Sequence, residues 1–338
     1  MQKHQHGGNI RLFSQEIGCD IKEVIDLSSN INFVKPRLDI DFNQLNISSY
    51  PNYDALYQAV ATLYNIEKKQ LELFNGATSA IHILFRDLKL KQCTLYAPLY
   101  SEYKKSALLY GYEIKPINRL KDIGKEVVPN SLVIFVNPST PDGEFYDIDK
   151  LMREWIAKEC TILIDESFLD FTPFESATKY LKEYNKLYIV KSMTKFYSSA
   201  GIRIGAIISN SKNIERIKQH EPLWKISEFD SQYLQSALRD QSFSKKSREI
   251  HNSYRDELIE ILEATSFIDK IYPSYANFIM VKLKDIDATS LQKKLIPYKI
   301  MVRDCSNFDF LDKQFVRIAI KDNIAIQKLK EALCEIST

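Results

Sequence analysis

Leu132-Val133-Ile134-Phe135-Val136-Asn137-Pro138-Ser139-Thr140-Pro141-Asp142-Gly143 begins as five consecutive apolar residues and ends in a proline-rich turn closed by glycine. A run this short, rich in β-branched and aromatic side chains and bounded by turn residues, predicts a strand buried on both faces. The texture recurs outward in both directions, at Cys93 to Ala97, Thr161 to Ile164, Leu187 to Val190 and Ala206 to Ile208. Helix-patterned stretches lie between them, such as Glu102 to Tyr110 and Ile148 to Ala157, and Leu56, Ala59, Val60 and Leu63 repeat at helical spacing upstream. Strand and helix in alternation predict an α/β unit with a largely parallel sheet. Beyond about residue 230 the texture changes. A long polar helical stretch, Ser231 to Ala264, precedes strand-like Phe278 to Leu283, Lys299 to Val302 and Phe315 to Ile320, then a helical Ala325 to Ile336. The expected units are an N-terminal segment 1–45, a large α/β unit 46–230, and a smaller α+β unit 231–338 that begins with a long linking helix.

With 338 residues, 45% hydrophobic and 27% charged, the chain has the composition of a folded protein and not of a disordered or collagen-like one. Lys plus Arg number 46 against 44 Asp plus Glu, and the net charge of +2 offers nothing to a nucleic acid or an anionic membrane. No apolar run reaches the roughly 18 residues of a membrane span. The N-terminal Met1-Gln2-Lys3-His4-Gln5-His6 has no signal-peptide core, so a cytoplasmic protein with a small-molecule partner is expected. Five scattered cysteines, and histidines at 4, 6, 82, 220 and 251, suggest neither a disulfide framework nor a metal site. Glycine is scarce, nine in all, so Gly7-Gly8, Gly76, Gly143, Gly201 and Gly205 mark candidate turns or close backbone approaches.

In open α/β sheets ligands bind beyond the carboxyl ends of the strands. Asp165 and Glu166 follow one apolar run, Lys191-Ser192-Met193-Thr194-Lys195 follows another, and the 137–143 turn follows a third. A carboxylate, an amine and a proline-glycine turn are thereby expected on one edge. The G-x-x-x-x-G-K-[ST] phosphate loop, the G-x-G-x-x-G dinucleotide fingerprint and the G-x-S-x-G nucleophile elbow are all absent.

Ser192-Met193-Thr194-Lys195-Phe196-Tyr197-Ser198-Ser199-Ala200-Gly201-Ile202-Arg203-Ile204-Gly205 resembles the S-x-x-K…G-x-R-x-G signature of fold-type I pyridoxal phosphate enzymes. That resemblance implies pyridoxal 5'-phosphate as cofactor, Lys195 as its Schiff-base lysine and Asp165 as the acid beside its pyridine nitrogen. It further implies a phosphate cup of Gly76, Ala77, Thr78, Ser192 and Arg203, with Tyr100 stacked on the ring. Tyr50 would be contributed across the interface of a homodimer with shared active sites. Five separated words resemble, more narrowly, the branch containing threonine-phosphate decarboxylases and histidinol-phosphate aminotransferases, and they favour the decarboxylases. They are His6 to Arg11, Asp26 to Asn32, Asp165 to Phe171, Leu187 to Tyr197, and Arg303 to Phe308 followed by Phe315 to Ile320.

The implied reaction is decarboxylation of L-threonine O-3-phosphate or L-serine O-phosphate to 1-amino-2-propanol phosphate or ethanolamine phosphate for the cobamide nucleotide loop. Arg317 would bind the substrate carboxylate, and His6, Asn30 and Arg303 its phosphate or the neighbourhood of that group. Two residues depart from the pattern. Thr140 stands where the family carries an asparagine beside the cofactor's phenolic oxygen, and Phe168 where many aminotransferases have a tyrosine. Histidinol-phosphate transamination stays open as an alternative reaction. A non-catalytic metabolite-binding protein is the alternative of another class, and the retained Lys195, Asp165 and Arg203 argue against it.

Overall fold

A computed structural model describes residues 7–337 of the chain. The N-terminal segment holds helix α1 (Ile10–Ile17) and strand β1 (Ile25–Asp26), and reaches helix α2 (Asp54–Leu63) through a stretch with little regular structure. Then follow β2 (Leu71–Asn75), α3 (Gly76–Leu88), β3 (Gln92–Ala97), α4 (Ser101–Leu109), β4 (Glu113–Asn118), β5 (Leu132–Val136), α5 (Asp149–Ala157) and β6 (Thr161–Asp165). Next come β7 (Leu187–Ser192), the single-turn α6 (Met193–Phe196), β8 (Ile204–Ile208) and α7 (Ser211–Lys218). The chain continues through α8 (Glu228–Arg239), α9 (Phe243–Glu263), β9 (Ile268–Ile271), β10 (Phe278–Leu283) and α10 (Ala288–Leu295). It closes with β11 (Ile300–Met301), β12 (Arg303–Asp304), β13 (Phe315–Ala319) and α11 (Asn323–Ser337).

The large sheet has seven strands in the order β2-β8-β7-β6-β5-β3-β4. Only β8 runs against its neighbours, so the carboxyl ends of β2, β3, β5, β6 and β7 and the amino end of β8 share one edge. The strands β5, β6 and β8 are buried along their whole length, because helices cover both faces; this is why they read as unbroken apolar runs. The chain therefore has the largely parallel α/β sheet that the strand and helix alternation implied, with a separate four-stranded antiparallel sheet, β12-β13-β10-β9, in the C-terminal region.

One sequence expectation is corrected. The polar stretch Ser231 to Ala264 is not one helix but two. Asp240 breaks it: one carboxylate oxygen accepts from the Ser242 amide and hydroxyl, and the other from the Arg37 amide. The strand-like run Lys299 to Val302 does hold a strand, and it lies outside the four-stranded sheet. Its Ile300 and Met301 pair in parallel with Ile25 and Asp26 of β1, which sews the N-terminal segment onto the C-terminal region. Leu27 continues the seam, its amide donating to the Met301 carbonyl and its own carbonyl accepting from Ala319. Ser28 to Asn32 are thereby delivered between the two sheets. Among the described residues no helix is long and apolar enough to cross a membrane, and no cluster of three or more His, Cys, Asp or Glu is placed to hold a metal ion.

Candidate active site

Successive residues of a strand face opposite sides of the sheet, and that alternation sorts the candidate acids and amines at the sheet edge. Glu166 and Lys191 form a buried ion pair at 2.6 Å. Glu166 also accepts from the Ser176 hydroxyl and the Ala177 amide. This pair is structural and does not line the cavity. Asp165 and Lys195 line it.

Asp165, the last residue of β6, is 4% exposed. Its Oδ1 accepts from the Ser167 amide at 2.8 Å and hydroxyl at 2.5 Å, and its Oδ2 from the Tyr103 hydroxyl at 2.6 Å. Burial pushes its pKa up, and the Ser167 and Tyr103 donors pull against that. Such a carboxylate is fixed in place and is stabilised by a cationic N–H partner arriving in the cavity.

Lys195 sits on α6, immediately beyond β7. Among the described residues no carboxylate lies within ion-pair distance of its amine. Burial, then the nearby Arg317 and Arg203, lower its pKa from 10.5 to about 8. Far more of this amine is neutral near physiological pH than of an exposed lysine, which favours it as a nucleophile.

The anion cradle is built from glycine. Gly76 opens α3 at φ +79°, and a Cβ there would meet the Arg203 guanidinium at 2.5 Å. A Cβ on Gly205 would come within 2.2 Å of the Ala77 nitrogen, so β8 and the α3 N-terminus approach as closely as they do only because position 205 lacks a side chain. The Asn75 side chain makes no cap hydrogen bond to this helix. The first-turn amides of α3, Thr78, Ser192 and Arg203 thus gather at a site suited to a phosphate. Tyr100 lies beside Thr78, their hydroxyls 3.4 Å apart.

The opposite wall comes from the C-terminal sheet and the Ser28 to Asn32 segment. Arg317 is 7% exposed. Its Nη1 donates to the Thr140 hydroxyl at 3.2 Å and its Nη2 to the Ser28 carbonyl at 3.1 Å. Its Nε has no partner, its plane lies over Phe278, and burial lowers its pKa to about 10. Arg303 donates to Asn307 Oδ1 at 2.8 Å and to the Asp304 carbonyl, and lies over the Phe308 ring. Asn30 is buried; its carbonyl accepts from Asn277, and its Oδ1 has no partner. The cavity between the walls measures about 230 Å³.

Of the residues singled out from sequence, Ala77, Thr78, Tyr100, Thr140, Asp165, Ser192, Lys195, Arg203, Asn30, Arg303 and Arg317 line this one cavity, as does Phe168. Gly76 lies against Arg203 at its edge. Tyr50 does not reach it: it is 74% exposed and stacks on Trp224 with ring centroids 4.1 Å apart. His6 lies outside the described residues. Gly201 is no close approach, since a Cβ there would meet nothing within 4 Å. Unforeseen participants are Tyr103 and Ser167 on Asp165, Ser28 under Arg317, and Arg119. The Arg119 guanidinium donates to the carbonyls of Tyr96, Pro98 and Val136, so it ties together the ends of β3 and β5. Tyr103 stands three residues after Tyr100, on the same helical face; that spacing was the available signal.

The family model for aminotransferase class I and II matches residues 22–336. The chain belongs to that family. It is 30% identical, over 99% of its length, to the adenosylcobalamin biosynthesis bifunctional protein CobDQ of Leptospira interrogans, of which it spans only 41%. It is 26% identical to the threonine-phosphate decarboxylase of Salmonella typhimurium, covering 98% of this chain and 96% of that one. Among solved structures, the histidinol-phosphate aminotransferase of Clostridium acetobutylicum superposes with a TM-score of 0.82 at 29% identity, covering 92% and 98% of the two chains.

Pyridoxal 5'-phosphate is the cofactor of this class, and the residues present fit it. The glycine-built cradle at a helix N-terminus suits a phosphate. The buried, hydrogen-bonded Asp165 carboxylate would suit a protonated ring nitrogen, and the Lys195 amine, its pKa lowered, would suit a carbonyl carbon in the same cavity.

Proposed function

We propose that the chain decarboxylates O-phospho-L-amino acids, taking L-threonine O-3-phosphate or L-serine O-phosphate to the corresponding aminoalkyl phosphate. The observation that carries this reading is the register of β12 on β13, which puts Arg303 directly opposite Arg317 on the cavity wall. Like charges directly opposite on adjacent strands are unfavourable, and a substrate bearing two anionic groups offsets that cost. An O-phospho-amino acid carries a carboxylate and a phosphate. The full-length likeness to the Salmonella decarboxylase, and the likeness to 41% of a bifunctional adenosylcobalamin biosynthesis protein, support the same reading.

When bound, pyridoxal phosphate supplies an electron sink that lets a bond at the substrate's α-carbon break heterolytically. Which bond breaks is set by this chain's side chains. Arg317 would hold the carboxylate through its planar fork, while Arg303 and Asn30, with His6 from outside the described residues, would hold the substrate phosphate or its neighbourhood. If these anchors turn the carboxylate out of the ring plane, CO2 departs. The Lys195 amine or a water then returns one proton to the α-carbon, so one proton is consumed for each CO2 released. Asp165 keeps the pyridine nitrogen protonated, and Ser192, Arg203, Thr78 and the α3 amides hold the phosphate of the cofactor. Thr140, already bonded to Arg317, brings a shorter hydroxyl to the phenolic oxygen than an asparagine would. We infer a homodimer in which Tyr50, exposed on this protomer, enters the partner's cavity.

A second reading, transamination of histidinol phosphate, is favoured by the aminotransferase superposition. Its amino-acid co-substrate would use the same arginines. The test is to incubate the cofactor-loaded protein separately with L-threonine phosphate and L-serine phosphate, following CO2 and the amine phosphate. Release from either is the expected result. No release, with amino transfer from histidinol phosphate to 2-oxoglutarate, would move the chain to the second reading. The two phosphates differ by one methyl, which a pocket discriminates by about 1–3 kcal/mol, so both are expected to react at different rates.

A further inference from the structure

Asn32 is 1% exposed, and every hydrogen-bonding position of its side chain is filled. Its Nδ2 donates to the Phe196 carbonyl at 2.7 Å and to the Ser247 hydroxyl at 2.8 Å. Its Oδ1 accepts from the Val34 amide at 2.9 Å and from His251 Nε2 at 2.8 Å. The Val34 amide can only donate, so the amide orientation is settled. That in turn requires His251 to carry its proton on Nε2. His251 Nδ1 is left buried without a partner, and burial holds this imidazole neutral, its pKa down at about 3. The backbone of Asn32 completes the arrangement, its amide donating to the Lys195 carbonyl at 3.1 Å.

Asn32 therefore grips two successive carbonyls of α6, those of Lys195 and Phe196, from a segment that is itself strapped down. Arg317 holds the Ser28 carbonyl, Asn277 that of Asn30, and Lys321 that of Ile31. A four-residue helix has little cooperative stability of its own, so an external grip decides where its side chains point.

We propose that Asn32 is a positioning residue for Lys195, holding α6 so that the amine faces the cavity, with His251 and Ser247 of α9 as its supports. This rests on the reading of Lys195 as the cofactor lysine. Asn32 touches neither cofactor nor substrate in this scheme and acts only through the backbone of α6.

The test uses the full-length protein and reads chemistry at Lys195 rather than turnover. Cofactor-free protein is mixed with pyridoxal phosphate, samples are quenched with borohydride over time, and the pyridoxyl label is located by peptide mass spectrometry. Asn32→Ala should label Lys195 at least ten-fold more slowly than wild type. Thr265→Ala, which removes a buried hydroxyl bonded to the Ile261 carbonyl, neither residue lining the cavity, should lower Tm yet label at the wild-type rate. His251→Gln, whose amide can supply the same donor, should stay within about three-fold of wild type, and His251→Phe should be slower than His251→Gln. Labelling of Asn32→Ala at the wild-type rate would overturn the proposal and leave the cofactor site standing. Labelling of a different lysine in the wild type would overturn the site reading and this inference with it. Should Asn32→Ala fail to fold, His251→Phe decides, and an unchanged rate there overturns the proposal.

Discussion

The two walls of the cavity are finished to different degrees. On the wall carried by the large sheet, Asp165 has three donors around it and Glu166 is locked to Lys191, so acid and base are sorted and held before any ligand arrives. On the wall carried by the small sheet, Arg303 and Arg317 confront each other, and the Arg317 Nε and Asn30 Oδ1 are buried without partners. Unpaired buried polar atoms cost free energy. The first wall is suited to a resident group that never changes. The second holds unspent hydrogen-bonding capacity, as a surface that must release its ligand every cycle requires.

The largest expected effect falls on the first wall. Lys195→Ala should abolish covalent retention of pyridoxal phosphate, measured by visible absorbance after gel filtration. Turnover should fall on the order of 10³-fold or more, since in the proposed scheme this residue both holds the cofactor and moves a proton. Retained absorbance would remove Lys195 from its place on that wall. Arg317→Ala should act on the second wall alone. Truncating one partner of a buried charge pair costs about 2–5 kcal/mol, so kcat/KM should drop roughly 30-fold or more while cofactor affinity, from fluorescence titration, stays within about three-fold. Equal losses in both quantities would mean that the walls are not separable.

The two walls also differed in how far they were legible. Strands β5, β6 and β8 announced themselves because burial on both faces leaves only apolar residues. Edge strand β4 did not: Lys115 and Pro116 are exposed there. Nor did β2, where Glu72 interrupts the run, buried against Lys225 at 2.6 Å and Lys218 at 3.4 Å. On the large-sheet wall the chemistry resides in side chains at strand ends, so Asp165 and Lys195 stood out by position, while Arg203 stood out only through the resemblance of the 192–205 stretch to a family signature. Arg203 precedes β8 and reaches the same edge because β8 is reversed. Elsewhere the polar groups act on backbone carbonyls, as Arg317 does on Ser28, Arg119 on Tyr96, Pro98 and Val136, and Asn32 on Phe196. No side-chain pattern declares where a carbonyl will point, and those partners emerged only with the fold. Tyr50 escapes for another reason, since its expected site belongs to a second copy.

A smaller effect couples the walls through charge. Lys195 titrates near 8 because burial and the cations of Arg317 and Arg203 disfavour its ammonium. The neutral amine attacks the cofactor aldehyde, so the labelling rate should rise with pH with a midpoint near 8 rather than near 10.5. In Arg317→Ala the midpoint should move upward, because one of those cations is gone. The sign of the linked stability is fixed as well. A lysine whose folded pKa is depressed contributes stability that is present above its unfolded value and lost as pH falls through the folded one. Cofactor-free protein should therefore lose stability between about pH 10.5 and 8, and Lys195→Met should flatten that part of the profile in denaturant titrations. A midpoint unmoved by Arg317→Ala would show that the Arg317 cation has no share in lowering the lysine.

The smallest expected effect belongs to a side-chain bond that spans the cavity, from Arg317 Nη1 to the Thr140 hydroxyl. A single hydrogen bond contributes about 1 kcal/mol net, so Thr140→Ala should lower kcat/KM by roughly five-fold. The fall should appear in kcat as well as KM, because the hydroxyl that accepts from Arg317 keeps its own proton for donation toward the cofactor's phenolic oxygen. Thr140→Ser preserves both functions and should recover most of the loss, whereas Thr140→Val, nearly the same shape without the hydroxyl, should match the alanine variant. If Thr140→Val were as active as wild type, the two walls would meet only through the substrate and the cofactor, and the orientation of Arg317 would rest on the Ser28 carbonyl and the Phe278 ring beneath it.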